Sequence, residues 1–290
     1  MANTVTYNKH DYVVKLRQRL NRPTNWADVF NVHYSDNRTI VNSTLSTEPT
    51  VVAGTRGTAY AYQDFALTAD TLTISTYRNI PIFIDEADRH QQTYFRQMEI
   101  ADFQGKKINE RIEVAALAEH ASWQNFGVGD LNNTSSNDTA QITVSASNVD
   151  DLIRAVKRKI YANNGVELSI QNGFFFIWRP ADYELLEAFV QANGFSEADV
   201  ALKNGVPVGM RYMGVDHYLT NDNAANHLFA GVKKMHDLGI LRSTYGKVKF
   251  LEDPATADGA LSGLGIVSRV DIGFQISTPN STLSQDINVV

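Results

Sequence analysis

Hydrophobic and polar positions alternate from Leu72 to Ile84. Leu72, Ile74, Ile80, Ile82 and Ile84 share one parity, and Thr71, Thr73, Ser75 and Tyr77 share the other. A period of two predicts a strand. Upstream, "TAYAYQDFAL" reads as its partner strand, "TADT" as the turn between them, and "TVVAGTRGT" as a glycine-punctuated tip. Residues 34–84 are therefore expected to form an extended ribbon with little core of its own. A two-stranded ribbon alone is marginal in water, so a surface from outside the chain is expected to pack on it.

The period then changes. Between Pro81 and Gly127 there is no further proline, and Ala87, Gln91, Tyr94, Met98, Ala101, Gly105, Ile108, Ile112 and Ala115 follow in steps of four and three. Those steps place them on one helix face. Asp85 is expected to cap this helix, with Asp88 three residues on, and Glu86 and Asp88 suit the positive end of its dipole. Some forty residues at about 1.5 Å each predict a rod of roughly 60 Å. Gly105 costs roughly 1 kcal/mol against alanine, so its place on the stripe predicts close approach of another backbone. The opposite face carries Lys107 and Glu110 but also Phe103 and Val114, so both faces are expected to meet something. The polar Gln91, the glycine and the lack of paired flanking charges disfavour a coiled coil. Glu110 and Glu113, beside Lys107 and Arg111, are expected to be solvated or to face a neighbour.

Beyond the helix, "GVGDLNNTSSNDTAQ" reads as a polar loop. "NVDDLIRAVKRKIYAN" reads as a helix capped by Asn148 with Leu152, Val156 and Ile160 inward. "GFFFIWRP" predicts a buried strand stopped by Pro180, and "ADYELLEAFVQANG" a helix ended by Gly194. "VPVGMRYMGVDHYLTND" reads as a strand pair broken by glycines, and "KVKFLED" and "GIVSRVDIGFQIST" as further strands. The class is α+β.

Composition narrows the function. The chain has 290 residues, 43% hydrophobic and 20% charged, enough for a large core. A net charge of −6 leaves no basic footprint for a nucleic-acid reader. Cysteine is absent, which excludes disulfides, thiolate metal sites and thiol nucleophiles. The start lacks a basic-then-apolar signal, and the apolar run Phe174–Trp178 is far too short for a bilayer, so a soluble protein is expected. No phosphate-loop, dinucleotide, zinc-protease or nucleophile-elbow motif occurs. From Asp130, "DLNNTSSNDTAQ" fails as a calcium loop at Thr134, Ser135 and Gln141. His217, His227 and His236 lack ligand spacing and are assigned to core or surface. No catalytic, cofactor-binding or metal-ligating set is expected, and no enzyme.

Three strings resemble the major capsid protein of tailed bacteriophages, the Hong Kong ninety-seven type shell fold. In "LTISTYRNIPIFIDEADRHQQTYFRQMEIADFQGKKINERIEVAALAE" a strand leaves an extended loop and enters a long spine helix at Ile84-Asp85, followed by Glu86, Asp88, Gln91 and Gln92. "FFFIWRPADYELLEAF" is similar to the strand-proline-helix unit of that family's axial domain, and "GVPVGMRYMGVDHYLTND" to its glycine-containing strand and turn.

The resemblance implies an N-terminal arm (1–33), an extended loop (34–84), a peripheral domain with the spine helix (85–147), an axial domain (148–245) and terminal strands returning to the peripheral domain (246–290). It implies a structural subunit that forms pentamers and hexamers of an icosahedral head around double-stranded DNA, held without sequence-specific binding. Its partners would be itself, a separate scaffolding protein, a portal and cement proteins. No membrane or cofactor is implied, and the product would be a virion assembled in the host cytoplasm. Only about thirty residues precede the ribbon, without a heptad pattern, so a fused scaffolding segment is not expected. From Tyr34 to Asp85 the basic residues are Arg38, Arg56 and Arg78, with no lysine. The loop-lysine isopeptide bonds of some family members are therefore not expected. These arginines are instead the candidates for intersubunit contacts, and Tyr94, Met98, Gly105, Ile108 and Ile112 for packing of the spine helix. The alternatives are an encapsulin-like nanocompartment shell and an α/β enzyme with an inserted ribbon.

Overall fold

The computed structural model describes residues 24–45, 51–57, 59, 62, 67–85, 94–192, 210–252, 255–256, 259–260, 262–276 and 278–290. In chain order the elements used below are α1 (Trp26–Val29), β1 (Asn31–Ser35), β2 (Thr39–Leu45), β3 (Leu67–Thr73), β4 (Thr76–Asp85) and α2 (Tyr94–Leu117). A 3-10 turn (Ala118–Ser122), β5 (Gln124–Phe126) and α3 (Val128–Leu131) follow. Next come α4 (Val149–Ala162), α5 (Val166–Asn172), β6 (Phe174–Trp178), α6 (Pro180–Ala192), β7 (Met210–Tyr212) and β8 (Val215–Leu219). The chain closes with β9 (His227–Val232), β10 (His236–Leu241), β11 (Val248–Glu252), β12 (Ala255–Thr256), β13 (Gly259–Ala260), β14 (Gly263–Ile276) and β15 (Ser284–Asn288).

Two sheets organise these elements. The first is built on the long strand β14. Along one edge it pairs antiparallel with β4 over ten residues; along the other it meets β10 and then β11, and β1 adds to β10 in parallel. The second has the order β5-β15-β9-β6-β8-β7. Its centre is the strand Phe174–Trp178, every residue of which is buried. The alternation explains why. Phe174, Phe176 and Trp178 pack with Leu152, Val156 and Ile160 of α4 and Leu186 of α6. Phe175 and Ile177 point the other way, into a core shared with Trp26, Ile112, Leu117, Trp123, Ile240 and Ile272. That second core joins the two sheets through α1 and the end of α2. The pair β7–β8 turns at Met213-Gly214, both at positive φ, as a two-residue hairpin requires. Among the described residues, no helix is long and apolar enough to cross a membrane.

Several expectations from the sequence need correction. Asp85 is the last residue of β4, and the residues it was expected to cap, 86–93 with Glu86, Asp88, Gln91 and Gln92, lie outside the described residues. The described part of the helix has 24 residues, about 36 Å, and its expected start lies outside the described residues. "TADT" is no turn. It lies inside β3, whose partner is β2, with Thr39 opposite Thr73 and Leu45 opposite Leu67. Of the terminal strands, β14 joins the sheet of the long helix and β15 lies between β5 and β9 in the second sheet. Conversely β10, from the stretch 148–245, belongs to the first sheet. Asn148 does not bond the first turn of α4; its side chain ties Ser145 N and Thr143 O in the loop before it.

Two buried histidines make the fold pH-dependent. Trp178 donates its indole N–H to His217 Nδ1 at 2.9 Å, so the ring proton sits on Nε2, which donates to Tyr212 O. Burial pushes His217 down from 6.5 to about 4 and His236 to about 3. The unfolded chain takes up these protons near pH 6.5, the folded chain only near those lower values. Both contributions are therefore complete above about pH 6.5 and are lost as pH falls toward 4. The urea midpoint of dispersed subunits is expected to fall steeply between pH 7 and pH 4.5, and His236→Gln to flatten that slope. A midpoint independent of pH over this range would contradict both assignments.

Candidate functional site

The ribbon and its anchorage are the parts of the chain that its own core explains least. β2 and β3 form a two-stranded sheet of their own. Residues 51–57, from the segment that joins them, are exposed throughout, with the turn at Arg56-Gly57. Val41 and Leu67 on the two strands are also exposed.

At its base the ribbon is fixed. Leu72 and Ile74 are buried, packed with Leu241 and Ile40. They sit over a pair of glycines, Gly239 of β10 and Gly273 of β14, which are opposite each other in the ladder. A Cβ at Gly239 would fall on the Leu72 side chain; one at Gly273 would fall on the carbonyl oxygen of Thr73 and 2.9 Å from Ile74 Cα. Ile74 N donates to Arg38 O at 2.7 Å, extending the β2–β3 ladder one residue beyond Thr39 and Thr73 to the point where β3 gives way to β4. The expectation of little local core thus fails at the base, where two glycines let the strand end lie directly on the sheet.

Arg38 and Tyr77 lock the same corner. Arg38 Nη1 donates to Tyr77 Oη at 2.7 Å and its Nη2 lies 3.9 Å from Asp271 Oδ2. Arg269 takes the same carboxylate with two bonds, of 2.6 and 2.8 Å, and its guanidinium lies 5.0 Å from the Tyr77 ring centre. Asp271 is 1% exposed, so two arginines answer one buried charge. Arg38, expected to pair with a neighbour, finds its carboxylate within its own chain. Arg56 lies in the exposed turn. Arg78 donates Nη1 to Tyr77 O, and its Nε is buried without a hydrogen-bond partner among the described residues.

The long helix meets the first sheet through a row that keeps the expected Ile108 and Ile112 but passes through Gln104 and Ala116 in place of Gly105 and Ala115. Gln104, Ile108, Ile112 and Ala116 are buried, a strict i, i+4 row. Gln104 is fully buried. Its Nε2 donates to Ile80 O and Ile266 O, both at 2.9 Å, and its Oε1 accepts from Ser268 Oγ at 2.8 Å. One amide thereby clamps β4 and β14. Gly105 is exposed, and a Cβ built there meets nothing within 4 Å, so the close backbone approach expected there is not made among the described residues. Tyr94 and Met98 lie in the first turns of α2, and their side chains fall outside the described residues. Glu113, expected on a solvated face, is buried and accepts from Asn25 N at 2.7 Å. It fixes the entry of α1, which Lys233 also holds through Asp28 at 2.6 Å.

The loop from Asp130 is no cation cradle. Its carboxylate accepts from the backbone N–H groups of Gly127, Asn137 and Asp138 and pairs with Lys159 at 2.9 Å. Bonds from the N–H groups of Gly129 and Ala140 hold Asp138 below the usual carboxylate range.

No family model matches the sequence, and no curated protein matches it. Solved structures do. A chain of Mycobacterium phage Che8 superposes with a TM-score of 0.69 at 14% identity, over 99% of this chain and 98% of that one. The capsid of an empty GTA particle gives 0.67 at 14% identity, over 98% and 95%. The capsid of the cyanophage P-SCSP1u gives 0.61 at 13% identity, over 97% and 92%. This chain has the phage capsid fold. The match runs end to end, so the helix, both sheets and the ribbon all belong to the capsid fold. At identities this low it is the backbone arrangement that is shared.

Proposed function

We propose that this chain is the major capsid protein of a tailed phage, a structural subunit that assembles into pentamers and hexamers of an icosahedral head enclosing double-stranded DNA. The observation that carries the reading is the end-to-end capsid fold together with a ribbon whose outer part is exposed among the described residues. In this reading residues 1–33 are the arm and 34–84 the extended loop. The sheet under the long helix is peripheral and the six-stranded sheet axial, with β10 and β15 assigned by their sheets. Arg56, Arg78 and the open face at Gly105 are available to neighbouring subunits, and Arg38, which also approaches Asp271 of its own chain, is half-exposed. A separate scaffolding protein, a portal and cement proteins complete the particle. The net charge of −6 suits a wall that does not grip its genome, because phosphate affinity comes from neutralising cations.

Electron microscopy of the purified particle with nuclease digestion tests this. Closed shells holding nuclease-protected double-stranded DNA are expected. Shells filled with a protein cargo would support the nanocompartment reading, and monomers under every condition would overturn both. Because the segment from Tyr34 to Asp85 has no lysine, boiling mature particles in detergent is expected to release monomers near 32.3 kDa. A ladder of covalent oligomers would contradict this.

A further inference from the structure

Three side chains that are far apart in the sequence meet where the end of the long helix reaches the second sheet. His120 lies in the 3-10 turn after α2, His227 opens β9, and Asp286 is the central residue of β15. His120 Nδ1 lies 2.9 Å from Asp286 Oδ2 and His227 Nδ1 lies 2.7 Å from Oδ1. One donor atom from each residue fits within a span of 4.8 Å. The ring centres are 4.6 Å apart.

Burial grades across the cluster. The Asp286 side chain is 4% exposed, while the two rings are 20% and 24% exposed. The carboxylate is thus closed off and the rings keep a path to solvent. Among the described residues no lysine or arginine pairs with Asp286, and only the two rings answer its charge. Opposite His227 in the ladder, Asn288 has a buried Nδ2 with no hydrogen-bond partner, so hydrogen bonding does not satisfy this corner fully.

We infer that His120, His227 and Asp286 bind one divalent ion of borderline softness, of which zinc is the best fit. Two imidazole nitrogens and a carboxylate oxygen, with no thiolate, form a donor set that suits zinc or cobalt. Bonds of about 2.0–2.1 Å in a tetrahedron put ligand atoms roughly 3.4 Å apart. The two nitrogens bond different oxygens of the carboxylate, at 2.9 and 2.7 Å, and one donor atom from each residue lies within 4.8 Å of the others, so side-chain rotations that bring both rings onto one oxygen admit the ion. A water completes the fourth position. With each ring neutral and its proton on Nε2, the ion replaces the two hydrogen bonds at Nδ1, compensates the buried carboxylate and ties the end of the long helix to β9 and β15. The cluster was invisible to sequence spacing because its members are 59 and 166 positions apart.

The test uses tag-free full-length protein stripped with chelator and titrated with cobalt, then zinc. Expected are visible ligand-field absorption that saturates at one equivalent, its loss on adding zinc, and a higher melting temperature with either metal. His120→Gln, His227→Gln and Asp286→Asn should each weaken binding by more than the roughly 10–100-fold typical of groups one layer further out. His33→Gln, in the separate His33–Asp237 pair, should leave it unchanged. No saturable absorption, or binding untouched by the three variants, would show a purely hydrogen-bonded cluster and overturn the inference. Should a variant fail to fold, X-ray absorption of the zinc-loaded wild-type protein decides: two imidazoles in the shell support the site, and oxygen ligands alone refute it.

Discussion

Gly273→Val is expected to lower the melting temperature of dispersed subunits by roughly 5 °C and to loosen the base of the ribbon. The position has no room for a side chain, because Thr73 O and Ile74 Cα occupy the space where a Cβ would be. These are backbone atoms and cannot swing aside. Overpacking of this kind costs typically 1–3 kcal/mol, and a kilocalorie shifts the midpoint of a chain this size by about 2 °C. The local consequence separates this from general destabilisation. The Ile74 amide, bonded to Arg38 O, should exchange its hydrogen much faster in the variant, while amides of β6 keep their protection. Calorimetry at the wild-type midpoint with unchanged exchange at Ile74 would show that the ribbon base does not depend on this contact.

Gln104→Ala is expected to cost about 2–4 kcal/mol, since it removes three hydrogen bonds from a dry site and leaves a cavity. The lost partners are Ile80 O, Ile266 O and Ser268 Oγ. Gln104→Met fills most of the volume and should recover only the packing part. Asp102→Ala provides the contrast on the same helix. Its ion pair with Lys106 spans 2.9 Å but lies on the surface, so the change should stay within about 0.5 kcal/mol. Denaturant midpoints of the three variants measure this order, and equal effects of Gln104→Ala and Asp102→Ala would contradict the clamp.

The elements that read clearly in the sequence are those whose periods are local. The alternation around Ile80, Ile82 and Ile84 is β4, the run Phe174–Trp178 is a strand buried on both faces, and the stripe Leu152, Val156, Ile160 is the inner face of α4. The capsid resemblance agrees with the fold found. What did not read clearly depends on partners distant in the chain. Counting apolar residues put Gly105 on the helix stripe, whereas the buried row passes through the polar Gln104. The step of four through Gln104, Ile108, Ile112 and Ala116 was there to be seen, but a glutamine earns a buried position only through carbonyls supplied by β4 and β14. The partner of β3 was misread for a similar reason: "TADT" carries turn residues, yet pairing with β2 keeps Thr68–Thr71 extended. Nothing local marks Gly239 and Gly273 as a facing pair. Arg38, a candidate for contact with a neighbour, bonds Tyr77 and approaches Asp271 of its own chain at 3.9 Å, partners that no local pattern marks.

The claim that joins these observations is that neighbouring copies cover the outer ribbon. Hydrogen exchange measured on the same preparation, dispersed and assembled, tests it most directly. Amides of residues 51–57, exposed in the single chain, should exchange rapidly in dispersed subunits and be strongly protected in shells, while the buried strand Phe174–Trp178 is slow in both. Equal and rapid exchange of residues 51–57 in both states would contradict the account.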